Sequence, residues 1–269
     1  MSDYKSVEGL QVSFADGVLD LLLDRPQKRN SLNDVMVAGL IDAIAEAGRD
    51  ETVRVILLRG AGAHFCGGFD ILARNSEGGD RPRVGSIQRR LPHQSHGLIP
   101  LIATVQTPVV CAVRGWAAGI GMHLVLAADF AIVEDQARLW EPFAERGFTP
   151  DSGGTWMLPR RVGETRAREV LLLGRVLTGL EAAEWGMVHR SVPADDLDHE
   201  VASVVGQLAC GPTVSLGLTK WLMHVAASSS FARHLHDEAM ALELSSRSED
   251  FREGLSAFKE KRPPRFSGR

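Results

Sequence analysis

His64-Phe65-Cys66-Gly67-Gly68-Phe69-Asp70-Ile71 and Arg114-Gly115-Trp116-Ala117-Ala118-Gly119-Ile120-Gly121-Met122-His123 are two Gly-rich turns. Each follows an apolar run that reads as a buried strand, Val53 to Leu58 before the first and Val109 to Val113 before the second. Glycines in such turns let backbone N–H groups point at a ligand instead of at a neighbouring strand. The second turn opens an apolar helix, predicted from about Ile120 to Ala127. The first N–H groups of a helix have no intrahelical partner and its dipole favours negative charge, so an oxyanion would sit well there. Taken singly, either turn also suits tight packing. Neither is a mononucleotide P-loop, because the Lys-Ser/Thr that should follow the last Gly is missing.

Around these turns the chain alternates between strand and helix patterns. Val12 and Phe14 alternate with polar neighbours, Asp16-Gly17 is a tight-turn signal, and Val18 to Leu23 is an apolar run, which together predict a hairpin closed by Arg25-Pro26. An amphipathic helix follows, with Met36, Val37, Leu40, Ile41 and Ile44 on one face. A further strand is expected at Phe130 to Val133. The alternation predicts an α/β fold with a mostly parallel sheet and helical crossovers. Beyond Gly163 the pattern turns helical, with Thr178-Gly179-Leu180-Glu181 as a capping box and apolar spacing at Val201, Val204, Val205 and Leu208. Residues 1–200 are therefore expected to form the core and 201–269 a helical subdomain. Asn75 to Gly85, rich in Gly, Asp and Arg, reads as a mobile loop.

Composition narrows the function classes. The chain of 269 residues has 44% apolar and 24% charged residues and a net charge of −4. Acidic balance gives no global attraction to nucleic acid, and no apolar run approaches the roughly 20 residues that span a bilayer. Met1-Ser2-Asp3-Tyr4-Lys5 lacks the basic and apolar regions of a secretory signal, so the expected location is the cytoplasm. Cys66, Cys111 and Cys210 are odd in number and scattered, which suits reduced thiols and not a disulfide frame. No His, Cys and carboxylate cluster has metal-ligand spacing.

The pair of turns, in this order, resembles the enoyl-CoA hydratase/isomerase (crotonase) superfamily, whose members carry a Phe-x-x-Gly-x-Asp turn and a Gly-rich turn leading into a helix. The resemblance runs almost end to end: Arg25-Pro26 with Asn30-Ser31-Leu32, Pro150-Asp151-Ser152-Gly153-Gly154-Thr155, Glu184-Trp185-Gly186-Met187-Val188, and Phe258-Lys259-Glu260-Lys261-Arg262 with Phe266. It implies a spiral of ββα units, a helical C-terminal trimerisation region giving a homotrimer or a hexamer built as a dimer of trimers, and an acyl-CoA thioester substrate without a separate cofactor. It further implies that the N–H groups of Phe69 and Ile120 form an oxyanion hole. One such donor is worth about 2.7–4 kcal/mol of transition-state stabilisation, so two can carry much of any reaction passing through a thioester enolate. Gly67, Phe69, Asp70, Ile71 and Leu72 would line the thioester and adenine side of the CoA pocket. Gly119 and Phe143 would also contact substrate, and Lys28 and Arg29 would meet the phosphates.

The acid and base are where this chain departs from the family. Its hydratases use two glutamates, and those positions hold His123 and Phe143 here. Adding water needs one group to activate it and another to protonate carbon, so two-glutamate hydration is not expected. Glu141 and Glu145 lie two positions either side of Phe143 and read first as surface charges or salt-bridge partners, with Glu141 kept as a possible site residue. Asp151 falls where some family isomerases and the 4-chlorobenzoyl-CoA dehalogenases place their single carboxylate, and one carboxylate is enough to move a proton between carbons. Asp before Ser152-Gly153-Gly154 is also a good helix N-cap. His123 is expected to bind the acyl group, assist a water, or fill the space of the missing glutamate. His96 matches the base histidine of the dehalogenases by spacing. Three readings follow: an enoyl-CoA hydratase/isomerase-type enzyme using Asp151, an aryl-CoA hydrolytic or dehalogenase-like enzyme using Asp151 and His96, and a non-catalytic acyl-CoA-binding subunit.

Overall fold

The computed structural model describes residues 4–71 and 83–269. Leu72 and most of the Asn75–Gly85 stretch lie outside the described residues. The predicted hairpin forms from β1 (Leu10–Ala15) and β2 (Val18–Leu23), in antiparallel register from Leu10 opposite Leu23 to Ala15 opposite Val18. Asp16 and Gly17 make the turn, both with positive φ. Helix α1 (Asp34–Ala47) begins where the Asn33 side chain accepts the Met36 N–H. The chain then returns as β3 (Val55–Gly60), parallel to β2. A short α2 (Ser86–Arg90) and α3 (Ser95–Thr104) lead to β4 (Val109–Val113).

The remaining elements complete two sheets. They are β5 (Trp116–Ala118), α4 (Ile120–Ala127), β6 (Phe130–Glu134), β7 (Arg138–Trp140), α5 (Gly154–Leu173), β8 (Leu177–Thr178), α6 (Gly179–Glu184) and β9 (Arg190–Val192). The larger sheet has the order β1-β2-β3-β4-β6-β9, parallel from β2 onward, and the smaller has the order β5-β7-β8. The capping box closes reciprocally, the Thr178 hydroxyl accepting the Glu181 N–H while the Glu181 carboxylate accepts the Thr178 N–H.

Strand periodicity decides which side each residue serves. Ile56, Leu58, Val109, Cys111, Val113, Ala131 and Val133 enter the large core beneath α1, α3 and α4, whereas Val55, Val110, Ala112 and Ile132 face the opposite side. There they meet Leu197, Val201, Val204, Val205 and Leu208 of α7 (Leu197–Ala209). Each such side chain contributes about 1.5–3 kcal/mol when fully buried, so α7 belongs to the sheet's packing. The expected division at residue 200 falls inside this helix.

Helices α8 (Thr213–Ala226), α9 (Phe231–Ser245) and α10 (Glu249–Glu260) follow. Arg54 of the loop before β3 ties the end of the chain back, its guanidinium donating to the Phe266 and Gly211 carbonyls. Among the described residues no single helix is long and apolar enough to cross a membrane.

Candidate active site

The two Gly-rich turns lie side by side. Cys66 and Ala117 form a parallel bridge in which the Cys66 N–H donates to the Trp116 carbonyl at 2.9 Å and the Ala118 N–H to the Cys66 carbonyl at 2.9 Å. A Cβ on Gly121 would stand 2.5 Å from the Cys66 carbonyl oxygen, so only glycine lets α4 start this close to the first turn. The other edge of the first turn is held by the 29–32 segment: Gly67 donates to Arg29, Leu32 to Gly68, and Asp70 to Leu32, at 2.7–2.8 Å. Since Leu32 bonds to the residues on either side of Phe69, Phe69 turns its own N–H away from that segment. Phe69 stands three residues beyond Cys66 and Ile120 three beyond Ala117, so the expected donors are carried at matching offsets on bridged segments. Ile120 is the first residue of α4, and its N–H has no acceptor within the helix. Gly119 precedes it as N-cap and donates to the Trp140 carbonyl at 2.9 Å.

The loop before α1 braces this arrangement. Asn30, fully buried, accepts the Arg25 N–H and donates to the Ala61 and His64 carbonyls. Asp70 binds the Arg25 guanidinium and the Lys28 ammonium, each at 3.0 Å. Lys28, expected to meet a phosphate, is therefore held on Asp70, half-exposed, and Arg29 lies exposed beside it. Ile71 is half-buried and donates its N–H to the Phe69 carbonyl.

Asp151 is not a helix cap. Helix α5 starts at Gly154 with Gly153 as N-cap, at φ 91°, and the cap has no side-chain hydrogen bond. The Gly153-Gly154 pair lets the chain enter the helix later than a lone Asp would suggest. Instead the Ser152 hydroxyl, itself buried, donates to Asp151 Oδ1 at 2.7 Å, and the His96 Nε2–H donates to the Asp151 carbonyl at 2.5 Å. A carbonyl only accepts, so this contact fixes the His96 tautomer. Sequence reasoning gave Ser152 no role of its own. Its signal was a hydroxyl immediately after a lone carboxylate.

Of the two expectations for Glu141, surface charge or salt-bridge partner, the structure gives the second. It is no surface charge: only 1% is exposed, where the chain leaves β7 and turns inward with Pro142 and Phe143. Its Oε1 lies 2.9 Å from Nε2 of His123, which is fully buried. The two side chains meet at this contact, and among the described residues neither has a hydrogen-bond partner elsewhere, which leaves His123 Nδ1 and Glu141 Oε2 unpaired. Burial pushes the Glu141 carboxyl up, His123 opposes this, and the charge of Asp151 adds a smaller upward push. Phe143 stacks on His123 with ring centroids 5.9 Å apart and meets Phe148 edge-on. Glu145, two residues further, is exposed.

The structure thus gathers His96, Ser152, Asp151, Glu141, His123 and Phe143 around the junction of α3, α4 and the start of α5. Gly154 marks the junction, because a Cβ there would stand 2.3 Å from His123 Nε2. Among the described residues no group of three or more His, Cys, Asp or Glu could hold a metal ion.

Comparison with known proteins agrees with this geometry. The family model for enoyl-CoA hydratase/isomerase matches residues 13–269. The chain is 39% identical over 254 residues to 1,2-epoxyphenylacetyl-CoA isomerase of Escherichia coli, covering 94% of this chain and 96% of that one. It is 31% identical to trans-2-decenoyl-[acyl-carrier-protein] isomerase of Streptococcus mutans, covering 94% and 96%. Among solved structures it is similar to enoyl-CoA hydratase from Bacillus anthracis, with a TM-score of 0.89, 28% identity, and coverage of 97% and 100%. Paired turns, α/β spiral and near full-length matches lead to one statement: this chain belongs to the enoyl-CoA hydratase/isomerase (crotonase) family and has its fold.

Proposed function

We propose that the protein isomerises an acyl-CoA thioester, with the Phe69 and Ile120 amides holding the enolate oxygen and Asp151 moving the proton. The carrying observation is the state of Asp151: one carboxylate oxygen is held by Ser152 and the backbone is held by His96, which leaves a positioned carboxylate three residues before Gly154, which abuts His123 of α4. His123 and Phe143 at the glutamate positions of the hydratases favour isomerisation over two-glutamate hydration. That two relatives are named isomerases supports the same direction. The hydrolytic alternative needs His96 to activate water, and with Nε2–H donated to the Asp151 carbonyl that role would fall to Nδ1. The reading includes no cofactor beyond the CoA of the substrate. Asp151→Asn should lower turnover of enoyl-CoA esters by about 10²–10⁴-fold while CoA-ester binding persists. Steady-state kinetics with isothermal titration test it, and a variant as active as the parent rules it out.

The same reading extends to assembly. Met223, Phe231, Met240, Leu242, Leu255 and Phe258 on α8–α10 are all more than half exposed. Apolar surface of this extent marks an interaction face, and further copies of the chain in a trimer, alone or stacked as a hexamer, would cover it. Sedimentation velocity should return trimers or hexamers; a monomer at micromolar concentration would contradict this.

A further inference from the structure

Resting on the Asp151 reading above, we propose that His123 is a second proton-handling side chain, delivering a proton to the acyl group while Asp151 removes one, and that Glu141 is the positioning residue that holds His123 and resupplies its proton.

Three observations carry this. First, His123 lies three residues after Ile120 and so on the same face of α4, and side chains on a helix lean toward its N-terminus. The ring therefore leans toward the turn that carries the Ile120 amide, and its Nε2 abuts Gly154, just past Asp151-Ser152-Gly153. Second, Glu141 Oε1 holds His123 Nε2 at 2.9 Å, and the two outer atoms, His123 Nδ1 and Glu141 Oε2, are buried without a hydrogen bond, which costs about 1–3 kcal/mol for each such group. A pair kept for stability would be satisfied by its surroundings. Third, burial raises the Glu141 carboxyl with Asp151 pushing the same way, so Glu141 keeps a proton above the usual carboxylate range. A carboxyl raised in this manner is suited to act as an acid. The titratable groups facing the pair are Asp151, in the loop before α5, and, across the Asp151 carbonyl, His96 of α3.

The protons balance. Asp151 breaks a C–H bond and leaves the electron pair on the thioester oxygen as the enolate. As the enolate collapses, a proton from His123 forms the new C–H bond, and His123 recovers one from Glu141. Asp151 gives up the proton it gained and Glu141 regains one before the next turnover, so isomerisation consumes none.

The test compares the parent, Glu141→Gln, His123→Gln and Asp151→Asn on a panel of aliphatic and aryl 3-enoyl-CoA esters. Double-bond migration is followed by absorbance and α-deuterium washout by mass spectrometry. Glu141→Gln should lower migration by about 10²-fold or more, mostly in kcat, and remove one limb of its pH profile. Washout, which needs only Asp151 and the oxyanion hole, should fall less, so that the ratio of washout to migration rises at least about tenfold. His123→Gln should raise the same ratio while Glu141 itself stays in place. Equal losses of both reactions, an unchanged ratio, or an unaltered pH profile would overturn the proposal. Asp151→Asn keeps the two readings apart: if it retains both reactions the Asp151 assignment fails, whatever the ratio in Glu141→Gln.

Discussion

Lys220–Asp129 and His123–Glu141 are both buried acid–base contacts, and they are satisfied to different degrees. The Lys220 ammonium of α8 donates to Asp129 at 2.6 Å and to the carbonyls of Ile102 and Thr107, which uses all three of its hydrogens. Asp129 also accepts the Val109 N–H at 2.7 Å. Burial pushes the Asp129 carboxyl up and the Lys220 ammonium down, and their mutual attraction opposes both shifts. The His123–Glu141 contact is more deeply buried, yet among the described residues its outer atoms, His123 Nδ1 and Glu141 Oε2, have no hydrogen-bond partner. A saturated pair belongs to the fold: it pins α8 to the edge of β4 and the end of α3. The incompletely bonded pair lies instead close to the loop that carries Asp151.

Removing one partner of the saturated pair should have the largest effect on stability. Lys220→Met leaves Asp129 buried with only the Val109 N–H and the more distant Arg161 to stabilise it. Breaking a buried pair from one side costs about 3–5 kcal/mol. Urea unfolding of the full chain should show a loss of that size, partly recovered in the double variant Lys220→Met with Asp129→Leu. A loss below about 1 kcal/mol would mean that the contact behaves like a surface pair and that the contrast with His123–Glu141 is false.

The contrast also separates what the sequence makes legible from what it hides. Local signals are reliable where the chain obeys one periodicity: the hairpin around Asp16-Gly17, the Thr178–Glu181 capping box, and α4, whose limits at Ile120 and Ala127 agree with the apolar run. Asp151 is visible as a lone carboxylate in a recognisable motif, but its bonding is not, because two glycines let the helix begin after it. The burial of Glu141 is hidden for a related reason. Residue alternation along β7 places Arg138 outside and Leu139 inside, but the rule ends with the strand, and the next three residues are all buried. Lys220 and Asp129 stand far apart in sequence, on elements that meet only through the sheet. No spacing rule connects them.

The smallest predicted effect has the opposite sign to that of Lys220→Met, and it bears most directly on the comparison. Glu141 has a folded-state pKa raised above its ordinary value of 4.5, chiefly by burial. Such a group contributes stability that is fully present below the unfolded-state value and is lost as pH rises through the folded-state value, because the unfolded chain ionises first. Gln at this position does not titrate, so Glu141→Gln should melt close to the parent at about pH 4 and above it at about pH 8. The gap should widen steadily between these limits in a thermal melt series. If Glu141 and His123 instead formed a stabilising ion pair like that of Lys220 and Asp129, the substitution would break it and lower the melting temperature near neutral pH. A variant less stable than the parent at pH 8 would place Glu141 among the groups that hold the fold together and remove the physical basis for its proton-supplying role.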